Sequence, residues 1–232
     1  MSLILTMMIS QESSNSALGA FENGVLGVAD DNTTMRYILQ VYYNGEASKE
    51  RLVEYSDEKS VTFDVRLVPG RDYQFVVWAD VVDTKDAEGK YEDKHYNTTD
   101  LANITLNNTW VAMDETRDAF TASYAANDYN GSQSINIDLY RPFAKLRVVT
   151  TDYVALANLG AGIEVKTATV KYTTEHRSAF NAYTSEAEAA DLSGVKHENY
   201  TIATYSLEND AKRTIFSDYF FAENGDIVKF EM

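Results

Sequence analysis

The strongest constraint on this chain is a period-two alternation of apolar and polar residues that recurs along its length. In Leu3–Ile9, residues Leu3, Leu5, Met7 and Ile9 share one face. In Met35–Tyr43, residues Met35, Tyr37, Leu39, Val41 and Tyr43 lie opposite Arg36, Gln40 and Asn44. The clearest run is Val61–Val68, where Val61, Phe63, Val65 and Leu67 oppose Thr62, Asp64 and Arg66. A strand places successive side chains on opposite faces, so each run predicts a strand with one buried face. The run Asp72–Val82 differs, because its second face mixes Gln74, Val76, Trp78 and Asp80. That pattern predicts a central strand covered on both sides. Between the last two runs, Val68-Pro69-Gly70-Arg71 fits a type II turn, with proline fixing φ at the second position and glycine accepting a positive φ at the third.

The remaining chain continues in the same way. Leu101–Leu106, Ile135–Leu139, Ala144–Val148, Ile163–Tyr172, Tyr200–Leu207, Thr214–Phe221 and Ile227–Phe230 read as strands, while Asp83–Asp93 and Asn127–Ser132 read as a loop and a turn. Short helices are expected between strands. Asp114 is placed to cap one running through Ala119–Tyr124, and Asp152–Leu159 reads as a turn or two closed by Gly160. Ser185-Glu186-Ala187-Glu188 has a capping-box pattern ahead of an Ala-rich segment stopped by Gly194. No strand-helix-strand rhythm appears. The expected fold is therefore all-β, two tandem antiparallel β-sandwiches with short helices in loops, spanning 1–140 and 141–232 and meeting near Tyr140–Pro142. The second is expected either to be closed by the strand-like run Asp226–Met232 or to continue beyond it.

Composition removes several functional classes. A formal net charge of −16 repels nucleic acid and anionic lipid, which require clusters of Lys or Arg. The absence of cysteine removes disulfides, Cys-based zinc sites and Cys nucleophiles. His95, His176 and His197 share no metal-ligand spacing and read as surface residues. No nucleophile elbow, phosphate loop or dinucleotide fingerprint occurs, so no catalytic residue, metal or cofactor is expected. The six Asn-x-Ser/Thr triplets read as chance occurrences in an Asn- and Thr-rich chain. No Lys or Arg precedes Arg36, so a basic export leader is not expected within this sequence, which reads as a mature or trimmed form.

Two groups remain as candidates. Asp80, Asp83 and Asp86 form the tightest acidic group and offer hard oxygens to a weakly held cation such as calcium, though not at the spacing of the helix-loop-helix calcium motif. Trp78 and Trp110 are candidate platforms for a sugar, because an aromatic face is rigid and amphipathic. Core packing is the competing role for Trp78.

Three stretches carry a family likeness. They are Met35-Arg36-Tyr37-Ile38-Leu39-Gln40-Val41-Tyr42, the run from Phe63 through Val68-Pro69-Gly70-Arg71-Asp72-Tyr73-Gln74-Phe75-Val76-Val77-Trp78-Ala79-Asp80, and Arg117-Asp118-Ala119-Phe120 with Tyr140-Arg141-Pro142-Phe143-Ala144-Lys145-Leu146-Arg147. Over roughly the first 150 residues the chain resembles the fimbrillin-like and fimbrial-accessory surface lipoproteins of the Bacteroidales. The resemblance implies tandem transthyretin-like sandwiches and a structural or adhesive role on the extracellular face of the outer membrane. It also implies membrane attachment only through an N-terminal lipidated Cys, which this sequence lacks. Implied partners are other fimbrial subunits, joined by donor-strand exchange at sheet edges, or host and bacterial surface ligands. Polymerising members are processed after an Arg or Lys behind the first strand, whereas the first basic residue here is Arg36, inside a predicted strand. The expectation is an accessory, tip or anchor-type subunit, with a glycan-binding surface lipoprotein as the alternative.

Overall fold

The computed structural model describes residues 2–9, 33–48, 50–83, 85, 90–107, 112–150, 167–190, 196–201 and 213–232. They form an all-β fold of several mostly antiparallel sheets. The chain divides into two compact units. One comprises Met1–Thr109, Glu115–Pro142 and Ala179–Glu188, and the other comprises Trp110–Asp114, Phe143–Ser178 and Ala189–Met232.

The first unit is a sandwich of two sheets. The larger contains β2 (Thr33–Tyr43), β3 (Glu46–Ala47), β4 (Leu52–Tyr55), β6 (Arg71–Asp83) and β9 (Ala119–Tyr129), in the order β3-β2-β6-β9 with β4 also paired to β2. The smaller has β1 (Ser2–Ile9) between β5 (Ser60–Arg66) and β10 (Gln133–Leu139). Leu3, Leu5 and Met7 of β1 meet Tyr37, Leu39 and Val41 of β2, Phe75 and Val77 of β6, and Phe120 of β9 in a shared core. The alternation in these runs thus marks their inward faces, as the sequence predicts. The β1–β10 pair departs from the antiparallel expectation, since it runs parallel from Leu3↔Gln133 to Ile9↔Leu139. A parallel pair needs a long connection, which the chain between Ile9 and Gln133 supplies.

The Pro69-Gly70 turn forms as expected, with Gly70 at φ +74°. Its shape is locked from outside. The Tyr73 hydroxyl donates to the Val68 carbonyl and accepts from the Val68 N–H, at 3.2 and 3.1 Å. The Gly70 N–H donates to the Tyr129 carbonyl at 2.7 Å.

Two expected helices are strands. After a single 3₁₀ turn at Glu115–Arg117, the segment Ala119–Tyr124 belongs to β9 and pairs with β6 from Asp80↔Ala119 onward. Phe120, Ala122 and Ala126 fill the core from one face, while Thr121 Oγ1 on the other donates to the Val77 carbonyl at 2.8 Å. This tertiary pairing overrides the weak helical preference of the alanines. The Ser185–Glu188 capping box also fails. Asn181 Oδ1 accepts from the N–H groups of Tyr183 and Thr184, closing a turn, and Ser185 adopts φ +62°, which no helix start can use. The chain folds back as β14 (Glu186–Ala190) against β13 (Arg177–Asn181). The expected turn Asp152–Leu159 lies outside the described residues.

β2 is buried on both faces, where the sequence predicts one. The second face of its sheet packs against β7 (Tyr96–Asn97), which pairs with β8 (Ile104–Leu106), and against the hairpin 179–188. Tyr96 and Phe180 pack against Trp78 of the neighbouring β6, and Tyr183 packs edge-on against Tyr42.

In the second unit, β11 (Phe143–Thr150) runs antiparallel to β16 (Arg213–Phe221), with a bulge at Val148/Val149. β12 (Thr167–Tyr172) lies between β15 (Lys196–Thr201) and β17 (Phe230–Glu231). Val170, Tyr172 and Phe216 form its buried centre, with Leu146, Val148, Val228 and Phe230 packed around them. The expected strands Ile163–Tyr172 and Tyr200–Leu207 are present where described, as β12 and the end of β15. Residues 163–166 and 202–207 lie outside the described residues.

Candidate functional site

Two features of the first unit combine backbone or side-chain chemistry with access. The first is the slot occupied by β1. From Ser2 to Met8 this strand pairs with β5, and from Leu3 to Ile9 it pairs with β10. Both of its edges are hydrogen bonded, and its inward side chains Leu3, Leu5 and Met7 are fully buried. Its outward face is accessible, with Ile4 43% exposed and Thr6 Oγ1 3.4 Å from Thr62 Oγ1. β1 is therefore held by backbone pairing on both edges and by alternate apolar side chains on its inner face.

The second feature is a cleft of about 650 Å³ lined by Glu54, Tyr55, Lys85, Lys90 and Tyr91. Tyr55 and Tyr91 stack with ring centroids 3.8 Å apart and planes 22° from parallel. Lys85 Nζ lies 5.2 Å from the centroid of the Tyr91 ring. Tyr55 is 39% exposed, one of the few large apolar side chains at the surface.

The cleft stands on a buried ion network. Arg36 Nε and Nη2 donate to Asp80 Oδ1 and Oδ2 at 2.9 and 2.7 Å, a bidentate pair, while Nη1 donates to Asp93 Oδ1 at 2.6 Å. Burial pulls the Arg36 guanidinium down, but Asp80 and Asp93 more than reverse this and hold it above its usual value. Complete burial pushes the Asp80 carboxyl up, with the Arg36 charge and hydrogen bonds pulling against it. The network fixes both walls. Arg36 lies opposite Tyr55 in the β2–β4 register, and Asp93 follows Tyr91 by two residues. Lys94 Nζ bridges Asp83 Oδ1 at 3.0 Å, joining the two ends of segment 83–94. Asn107 Nδ2 holds the Asp93 carbonyl at 3.1 Å, and Arg51 donates to the carbonyl and, at 2.9 Å, to Oγ1 of Thr98.

The residues singled out from sequence are placed elsewhere. Trp78 is fully buried between Tyr96 and Phe180, at centroid distances of 5.4 and 6.1 Å, so its faces serve packing. Trp110 and Asp86 lie outside the described residues. Asp80 has both carboxylate oxygens on Arg36, and Asp83 has one on Lys94, so these two hold protein cations. No group of three or more His, Asp or Glu suited to a metal ion occurs among the described residues. His95 and His176 are buried, contrary to the surface expectation. His95 Nε2 lies 2.8 Å from Thr116 Oγ1, and His176 packs against Tyr172 and Phe220. Among the described residues no helix is long and apolar enough to cross a membrane. Sequence reasoning missed the Tyr55–Tyr91 pair, which lies 36 positions apart on two segments that Arg36 joins.

Over residues 1–232 the chain belongs to DUF6562, a family of unknown function. No curated protein matches it. Among solved structures it is similar to a Bacteroides thetaiotaomicron protein bearing a provisional polysaccharide-binding name. That match has 12% identity and a TM-score of 0.53, and covers 94% of this chain and 71% of that one. A provisionally named adhesin from the same species matches at 12% identity and TM-score 0.47, covering 99% and 74%. A fimbrial assembly protein of Parabacteroides distasonis matches at 10% identity and TM-score 0.41, covering 98% and 79%. The first likeness is one of fold alone, and the other two superpose too loosely to carry an argument.

Proposed function

We propose that this chain is a non-catalytic, cell-surface structural or adhesive subunit of fimbrial type, which joins its partners through strand pairing at sheet edges. The observation that carries this reading is the position of β1. A strand distant in sequence from both of its neighbours fills the middle of a three-stranded sheet and contributes three side chains to the core. Because its recognition is backbone pairing plus an alternation of apolar residues, a like strand from another copy satisfies the same slot.

The charge pattern favours an accessory, tip or anchor role over a repeating shaft subunit. No Lys or Arg lies between β1 and Arg36, and Arg36 itself is buried in its ion network. A protease specific for basic residues has no site from which to release β1. The slot then stays filled by its own chain, this copy pairs with partners through its remaining sheet edges, and an assembly begins or ends there.

Size-exclusion chromatography of the full chain tests this. The intact protein should remain unassembled in the presence of excess synthetic Ser2–Ile9 strand. A variant with a site-specific protease sequence inserted in segment 10–32 should form mixed oligomers or bind that strand once cut. A cut variant that neither oligomerises nor takes up the strand would sink the strand-exchange reading. The second reading, glycan capture at the cell surface, is favoured by the Tyr55–Tyr91 cleft, since stacked aromatic walls beside polar groups suit a sugar ring.

A further inference from the structure

The cleft at β4 combines three features. It has a paired aromatic wall, it carries two ammonium groups, and it is held by buried ion pairs rather than by surface contacts alone. We propose that it binds an acidic pyranose unit of a glycan, a sugar ring bearing a carboxylate, with the ring against the outer face of Tyr55, which Tyr91 backs, and the carboxylate toward Lys85 and Lys90. This inference rests on the glycan-capture reading and specifies its ligand class.

The aromatic wall supplies the ring contact. A pyranose offers a face of C–H groups, and a tyrosine face is apolar, rigid and slightly negative, which complements them. Tyr91 is already stacked on one face of Tyr55, so little side-chain freedom is lost when a sugar settles against the other. Their backbone supports are also fixed. Tyr55 sits on β4, paired to Arg36, and Tyr91 lies two residues before the Asp93 that Arg36 holds at 2.6 Å.

The lysines select the acid. In a chain with 20 Lys and Arg against 36 Asp and Glu, two lysines line one small cleft, with Lys85 directed over the Tyr91 ring. An ammonium group adds little to recognition of a neutral sugar but forms a charge-assisted hydrogen bond with a carboxylate. Glu54 on the same wall accepts hydrogen bonds from ring hydroxyls and disfavours a ligand that is anionic on all sides. The net charge of −16 disfavours dense polyanions such as nucleic acid.

Isothermal titration of the full chain with matched pairs tests the proposal, using oligogalacturonate against oligogalactose and sialyllactose against lactose. An acidic member should bind saturably, with a Kd on the order of 0.1–1 mM for a single shallow subsite, while its neutral partner binds at least about tenfold more weakly. The double variant Lys85→Ala/Lys90→Ala should weaken acidic binding about tenfold, the sum of two exposed charge contacts, and remove its salt dependence. Tyr91→Ala should weaken binding at least as much, and Tyr91→Phe should restore it, because phenylalanine keeps the aromatic face. Equal binding of acidic and neutral partners, with the lysine variant like the parent, would overturn the acidic class and leave glycan capture standing. Absence of saturable binding to any of the four overturns both. Neither result touches the strand-exchange reading, whose readout is oligomer size.

Discussion

The two sheets of the first unit are held together by different means. In the larger sheet β6 runs between β2 and β9, both antiparallel, with continuous pairing from Thr33↔Asp83 to Tyr42↔Gln74 on one side and, on the other, pairing from Asp80↔Ala119 to Tyr73↔Ala126 that resumes after a bulge at Arg71↔Tyr129. Both faces of β6 are buried, and the Arg36–Asp80 pair cross-links it to β2. In the smaller sheet the middle strand is β1, covered on one face only and parallel to one of its neighbours. The centre of the larger sheet, β2 and β6, is thus covered on both faces. The smaller depends on one short strand whose partners lie far along the chain. Under the proposed assembly by strand pairing, the smaller sheet is the one that exchanges a strand.

Substitutions can break or sharpen this contrast. The largest effect is expected from Leu5→Asp in β1. It places an unpaired carboxylate in the core and should cost more than about 4 kcal/mol, seen as a large fall in melting temperature at neutral pH. Asp80→Ala in the larger sheet should follow, at about 3–5 kcal/mol by chemical denaturation, because it leaves the Arg36 guanidinium buried with only Asp93 as partner. It should also loosen the Tyr91 wall of the cleft.

A smaller effect concerns pH. Burial pushes the Tyr37 phenol up to about 12, with the nearby Asp57 and Glu58 charges adding to it. The unfolded phenol loses its proton near its ordinary value of about 10, so between roughly pH 10 and 12 the folded state holds the extra proton and stability falls as pH rises. Tyr37→Phe should flatten that alkaline loss in a series of urea melts. It should also cost about 1 kcal/mol at neutral pH, through the hydrogen bond to the Glu58 carbonyl. The smallest change is expected from Ile4→Thr, on the outward face of the same strand as Leu5. Its stability should stay within about 0.5 kcal/mol of the parent.

The inward faces of β1, β2, β5, β6 and β10 were legible in the alternation, because burial of one face leaves a period of two in the residues themselves. What covers the other face was not legible. Arg36 looks like a solvent-facing residue until Asp80, 44 positions later, meets it across the β2–β6 register. Trp78 and Asp80 were candidates for ligand and cation for the same reason, since sequence shows their chemistry and not the Tyr96, Phe180 and Arg36 that occupy it. The parallel β1–β10 pairing leaves no mark on composition. Ala119–Tyr124 carried helix formers that the β6 edge drew into a strand. For the cleft, the usable signal was a surplus of tyrosines beyond those the core alternation accounts for. That signal points to exposed aromatic pairs without saying which residues meet.

As a separable strand, β1 would complete a slot that another strand can fill. Thermal melting of the full chain, carrying a site-specific protease sequence in segment 10–32 and cut after folding, tests it most directly. With the released strand washed out under mild denaturant, the first unit should melt at a lower temperature. Added Ser2–Ile9 peptide should restore the original melting temperature in a saturable way, and a peptide with Leu5 replaced by Asp should not. An unchanged melting temperature after removal of the strand, or no response to the peptide, would contradict the claim.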